Sequence, residues 1–196
     1  MPARKRTVKT ALPTRNGASA TAERTKTIHS MLPMNDGVSA DNRAAVVEIL
    51  NQQLADHYVL LTKTKFYHWN IEGPEFHDLH ELLDEHYAVL ADEVDLIAEQ
   101  ALKLGGQAAG TLAYFKQHSR IKEDPGDTIP DTRRMIQNLL DGHEAIMTAL
   151  HDNISMVEEE HDDKVTANFL QDVSAEHHKM AWMLRMLLQH STLETR

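Results

Sequence analysis

Between Gly73-Pro74 and Gly105-Gly106 run 30 residues, Glu75 to Leu104, with no glycine or proline among them. Breakers at both ends and none inside are the start and stop signals of one uninterrupted helix, about 45 Å long at roughly 1.5 Å per residue. At about 100° per residue, Leu79, Leu83, Leu90, Val94, Ile97, Ala101 and Leu104 fall on one side of it, the pattern of a helix packed into a bundle.

A second stripe, centred about 130° from the first, carries His80, Asp84, Asp95 and Glu99. His68 stands just before the loop that leads into the helix. Imidazole mixed with carboxylate suits iron, zinc or manganese, whereas an all-oxygen set would suit magnesium or calcium. One chain cannot bring these groups to one ion, because the two ligand pairs lie about 22 Å apart along the helix. A second copy can. If two copies cross antiparallel about a two-fold axis near residues 89 and 90, His80 faces Glu99 of the other copy and Asp84 faces Asp95. Ala88 and Ala91 obey the same register and are small enough to let the backbones approach. Two identical sites then form per dimer, with His68 joining each from the chain that supplies His80.

The remaining pattern is helical. Ser39 or Asp41 can cap a first helix, in which Val47, Leu50, Leu54, Leu61 and Lys65 recur at three and four residues and which ends near Tyr67. Residues 107–127 form a long connection with a short helix near Leu112 to Lys116. A third long helix is expected over residues 131–160 and a fourth over 164–189, with Met180, Trp182, Met183, Met186 and Leu187 as core. No β-alternation or internal repeat competes. The expected architecture is all-α: a ferritin-like four-helix bundle with a short helix in the connection between helices two and three.

Charge divides the chain. Residues 1–28 carry a net +6, so the remainder carries −16 of the total −10. A basic segment rich in Thr, Ala and Ser and without helical periodicity reads as a disordered tail that can contact phosphates nonspecifically; Arg4, Lys5, Arg6, Lys9 and Arg15 are its candidate DNA contacts. The domain division is therefore a flexible basic tail over 1–38, a bundle over 39–192 and a short C-terminal end over 193–196. Zero cysteines fit a reducing cytoplasm and exclude a cysteine-ligated cluster. No apolar stretch approaches the roughly 20 residues of a membrane span, and the basic N-terminus lacks the apolar core of a secretory signal. The expected location is cytoplasmic and nucleoid-associated, with no membrane partner.

The segment from Lys65 through His68-Trp69-Asn70 to Phe76 is followed by Leu79-His80-Glu81-Leu82-Leu83-Asp84-Glu85, Asp95-Leu96-Ile97-Ala98-Glu99 and Leu104-Gly105-Gly106. Together these motifs resemble the Dps family of mini-ferritins, and the likeness spans about residues 39–190. The resemblance implies a homododecameric hollow shell, active in oxidative stress, that oxidises Fe(II) with hydrogen peroxide and stores a ferric mineral. It assigns His68, His80, Asp84, Asp95 and Glu99 to a di-iron ferroxidase centre shared across a dimer interface, with zinc as a resting substitute. Trp69 corresponds to the family tryptophan near that centre, placed to intercept a stray oxidising equivalent. It also implies acidic iron-entry pores, for which Asp141, Glu144 and Asp152 are the candidates. Binding of DNA by the tail would add a protective role. The alternative is a mainly structural DNA-compacting protein with secondary metal binding. Ordinary ferritins place paired Glu-x-x-His motifs inside the bundle, and the only such motif here, Glu158 to His161, stands at a polar helix end.

Overall fold

The computed structural model describes residues 27–189, and all regular structure among them is helical. Ser39 accepts a hydrogen bond from the Asn42 N–H and starts α1, Ala40–Asn70. After a short turn, α2 occupies Phe76–Lys103. It stops where Gly105 takes φ +83°, a left-handed conformation open to glycine, and the Gly106 N–H reaches back to the Ala101 carbonyl. The short helix α3, Leu112–His118, lies in the connection to α4, Thr132–Ser155, which Asp131 caps through the Arg134 N–H. A single π-helical turn, Met156–Glu160, extends α4, and α5 covers Lys164–Gln189.

The four long helices pair as α1 with α2 and α4 with α5, and the two pairs close on each other through α1–α4 and α2–α5 contacts. Leu50, Leu54 and Leu60 of α1, Leu79, Leu83, Leu90 and Ile97 of α2, Met135, Ile136, Leu139, Ile146 and Leu150 of α4, and Leu170, Met180 and Leu184 of α5 fill the shared core. Each fully buried leucine or isoleucine contributes about 2 kcal/mol. Gly142 marks a close approach, since a Cβ there would stand 2.7 Å from Leu60 Cδ1. The sequence places Trp182 in the core, yet its side chain is 54% exposed, while Met180 beside it is buried. Trp182 and Met186 are four positions apart, and both lie off the stripe that Val173, His177, Met180 and Leu184 turn inward.

The long connection is held by polar side chains of α1. Asn51 bridges the Gln107 carbonyl and the Ala109 N–H. Asp56, fully buried, accepts from Ser119 Oγ and from the backbone N–H and guanidinium of Arg120. Tyr67 donates to Asp124 and accepts from Asn138. These contacts explain why α1 buries many polar groups and still belongs to the core. Residues before α1 also lie on the body: Met31 packs against the core, and the Leu32 N–H donates to the Gly105 carbonyl.

Candidate metal centre

His68 sits near the end of α1 and His80 at the start of the second turn of α2, and the tight turn between the helices stacks their rings with centroids 3.8 Å apart. Each Nδ1 meets the other's backbone carbonyl, His68 to His80 at 3.0 Å and His80 to His68 at 2.9 Å. A carbonyl can only accept, so in each neutral ring the proton sits on Nδ1 and Nε2 keeps a lone pair. Carbonyl-anchored imidazoles with a bare second nitrogen are the arrangement metal sites use to fix tautomer and orientation.

Aromatic neighbours frame the pair. Phe76 stacks on His80 with centroids 5.0 Å apart, and Tyr87 meets His68 edge-on at 5.2 Å. The nearby Asp84 carboxylate raises the Tyr87 phenol above the usual value. Lys65 Nζ stands 4.8 Å from the Tyr87 ring centroid. Tyr87 therefore links Lys65, His68 and Asp84. The sequence reading missed it, because a tyrosine on a half-exposed face carries no ligand signature of its own.

Asp84, Asp95 and Glu99 are exposed on the outer face of α2, as are Ala88 and Ala91. Glu99 forms a surface pair with Lys103 at 3.4 Å, too exposed to hold its geometry firmly. Trp69 is 70% exposed and takes no part in its own subunit's core. Among the described residues, one subunit does not gather these five ligands; the one His/Asp/Glu trio within reach of a single ion is a different set, His57, Glu93 and His177.

That trio lies in the bundle interior. His57 of α1, His86 and Glu93 of α2, His143 of α4 and His177 of α5 are all buried, so every long helix contributes. His57 Nδ1 donates to the Gln53 carbonyl at 2.7 Å, and its Nε2 lies 3.1 Å from His177 Nε2. His177 Nδ1 lies 2.9 Å from His143 Nδ1. Burial, reinforced by the neighbouring imidazoles, lowers His57 to about 4 and His143 well below its ordinary value. Burial likewise lowers His177 to about 3 and His86 to about 4. Burial pushes Glu93 up to about 7. Burial therefore disfavours the charged form of both partners in the 3.3 Å contact between Glu93 and His177.

Other predicted residues scatter. Asp141, exposed on α4, accepts from Gln137 and borders a groove of about 480 Å³ between α4 and the connection. Glu144 pairs with Arg185 at 2.7 Å, and Asp152 is exposed one turn before the end of α4. Arg4, Lys5, Arg6, Lys9 and Arg15 lie outside the described residues. No described helix is long and apolar enough to cross a membrane.

Four long helices paired into one bundle are the architecture of a ferritin-like protein, and the family model for the ferritin-like domain matches residues 47–193. An uncharacterized low temperature-induced protein of Nostoc sp. is 40% identical over 161 residues, 82% of this chain and 89% of the relative. DNA protection during starvation protein 2 of Bacillus anthracis is 35% identical over 144 residues, 73% of this chain and 96% of the relative. Among solved structures, DpsC from Streptomyces coelicolor superposes with a TM-score of 0.81 at 28% identity, covering 87% of this chain and 98% of that one. Within the ferritin-like class, the chain belongs to the Dps family.

Proposed function

We propose that this protein oxidises Fe(II) with hydrogen peroxide at a centre shared between two subunits, stores the ferric product inside a twelve-subunit shell, and binds DNA through its basic N-terminal tail. The observation that carries the reading is the carbonyl-anchored His68–His80 pair, with Asp84 one turn on from His80 along the α2 face that also bears Asp95 and Glu99. Iron is the substrate. The chain supplies the mixed nitrogen and oxygen donors that bind ferrous ions while leaving positions open for peroxide. Two ferrous ions give one electron each to one peroxide molecule, so its O–O bond is cleaved in a two-electron step that releases no hydroxyl radical. The ferric ions then hydrolyse to oxyhydroxide and release protons.

Individual residues have distinct tasks in this scheme. Asp84, Asp95 and Glu99 offset the ferrous charge, and Tyr87, with Lys65 against its ring, packs edge-on against His68. Trp69 is exposed beside His68, where an indole can give up an electron to a stray oxidant before the bundle does. Zinc suits the same donors but has no redox chemistry, so it is a resting occupant and an inhibitor. The −16 charge of residues 29–196 draws cations toward the body, with Asp141, Glu144 and Asp152 as the entry residues to test. Twelve basic tails on one shell would gain avidity for DNA in the cytoplasm through multivalency.

The test is stopped-flow oxidation of Fe(II) by peroxide with the wild-type protein and with the double variant His80→Ala/Glu99→Ala. Loss of the fast phase with helicity and assembly retained supports the reading. Wild-type rates in a folded double variant would place the iron chemistry elsewhere.

A further inference from the structure

We propose that the bundle interior holds a second metal site, a mononuclear site for a zinc-type divalent ion built from His57 Nε2, His177 Nε2 and the Glu93 carboxylate of a single chain. It is distinct from the shared centre: its three ligands come from α1, α2 and α5 of one subunit and face inward. Bonds of about 2.0–2.2 Å to nitrogen and oxygen put tetrahedral ligand atoms roughly 3.3 Å apart. His57 Nε2 to His177 Nε2 is 3.1 Å, and His177 Nε2 to Glu93 Oε2 is 3.3 Å. The third edge, His57 Nε2 to Glu93 Oε2, is 4.0 Å. A small rotation of Glu93 closes it, and no hydrogen bond opposes that rotation, because neither Glu93 oxygen has a partner.

The orphaned polar atoms point the same way. Glu93 is 5% exposed with both oxygens unsatisfied, and His86 is buried with both ring nitrogens unsatisfied. Buried polar groups ordinarily find partners, and leaving a carboxylate without one costs the fold stability. An ion gives Glu93 that partner. Neutral imidazole is the ligand form of histidine, and burial keeps His57 and His177 neutral.

Proton positions around the trio are those of a site with an outer layer of support. The Gln53 carbonyl holds the His57 proton on Nδ1, so His57 Nε2 carries a lone pair. Without an ion, the proton in the His57–His177 contact must then belong to His177 Nε2, and His143 Nδ1 must donate to His177 Nδ1. An ion at His177 Nε2 moves that ring's proton to Nδ1, where it donates to His143 Nδ1, and the His143 proton moves to its own Nε2. Each ring keeps one proton throughout. His143 thereby acts as a positioning residue, orienting His177 without touching the ion.

The experiment uses the full-length protein carrying His80→Ala/Glu99→Ala, which disables the shared centre, stripped of metal and titrated with Co(II) as a spectroscopic probe and with Zn(II). About one ion per chain is expected, with the absorption of tetrahedral Co(II). Adding Glu93→Gln, a near-isosteric change, should weaken binding by about tenfold or more, and His177→Gln should abolish it. If His177→Gln does not fold, Glu93→Gln alone decides. Absence of binding in the His80→Ala/Glu99→Ala protein, or binding that Glu93→Gln leaves unchanged, overturns the proposal. Failure of the ferroxidase reading would appear separately, as fast iron oxidation surviving in the same His80→Ala/Glu99→Ala protein.

Discussion

Two defective chains should repair each other in a defined proportion if the outward centre is shared. On α2 the His80/Asp84 pair and the Asp95/Glu99 pair are about 22 Å apart. In the proposed arrangement each centre takes His68, His80 and Asp84 from one subunit and Asp95 and Glu99 from its partner. A shell built only from His80→Ala chains, or only from Glu99→Ala chains, has a ligand missing at every centre. In a dimer of one chain of each kind, one centre carries both lesions and the other carries neither. Random pairing from equal amounts makes about half of the dimers mixed, and half of the centres in those are intact, so about one quarter of the wild-type centres return. The assay is stopped-flow peroxide oxidation of Fe(II) on shells co-expressed with two different affinity tags and purified through both. Separately assembled variant shells, mixed afterwards, are the control. An initial rate near one quarter of wild type, against variant-level rates in the control, is expected. If the doubly tagged shells oxidise iron no faster than the control, no centre draws ligands from two subunits and the two-fold register is wrong.

Three further outcomes follow from other parts of the chain. Ala91→Trp places an indole on the exposed α2 face beside the axis; far-UV circular dichroism should stay near wild type while sedimentation shows a smaller assembly and peroxide-driven oxidation falls, and an unchanged assembly with normal oxidation would contradict it. Deleting residues 1–28 removes a net +6; binding of the full-length protein to duplex DNA should weaken steeply with added salt and vanish on truncation, with iron oxidation intact, whereas truncated protein that shifts DNA equally well at low salt would clear the tail of that role. Asp56→Ala leaves the Arg120 N–H and Ser119 Oγ without their acceptor inside the fold; because the Arg120 side chain is 38% exposed and can rehydrate, the loss in denaturant unfolding should be about 2–3 kcal/mol at fixed protein concentration, below the full penalty for breaking a buried pair, and a loss under about 1 kcal/mol would mean that Asp56 does not anchor the connection.

Helix limits are legible in this chain because the breakers coincide with the ends of apolar stripes: Gly73-Pro74 and Gly105-Gly106 bracket α2 to within a residue. The outward stripe is legible for a similar reason, since its four side chains of ligand type obey a two-fold register that solvated charges have no cause to follow. The interior cluster stays hidden because each helix contributes only one or two polar residues. His143 and His177 each look like a lone interruption of a core face, His57 is one of many buried polar residues of α1, and only packing brings them together. One signal does exist. Leu79, His86, Glu93 and Gln100 recur every seven residues on the same side of α2 as Leu83, Leu90 and Ile97, and all of them are buried. An imidazole and a carboxylate in a register otherwise given to leucine and isoleucine cost desolvation unless something binds them. His86 and Glu93 stand about 180° around the helix from the centre of the His80, Asp84, Asp95 and Glu99 stripe. In the two sites proposed here, one rod presents ligand-type groups on opposite faces: the inner set would be closed by its own bundle, and the outer set would require a second copy. For that reason a change at Glu93 and a change at Glu99, only six residues apart, should disable different metal sites.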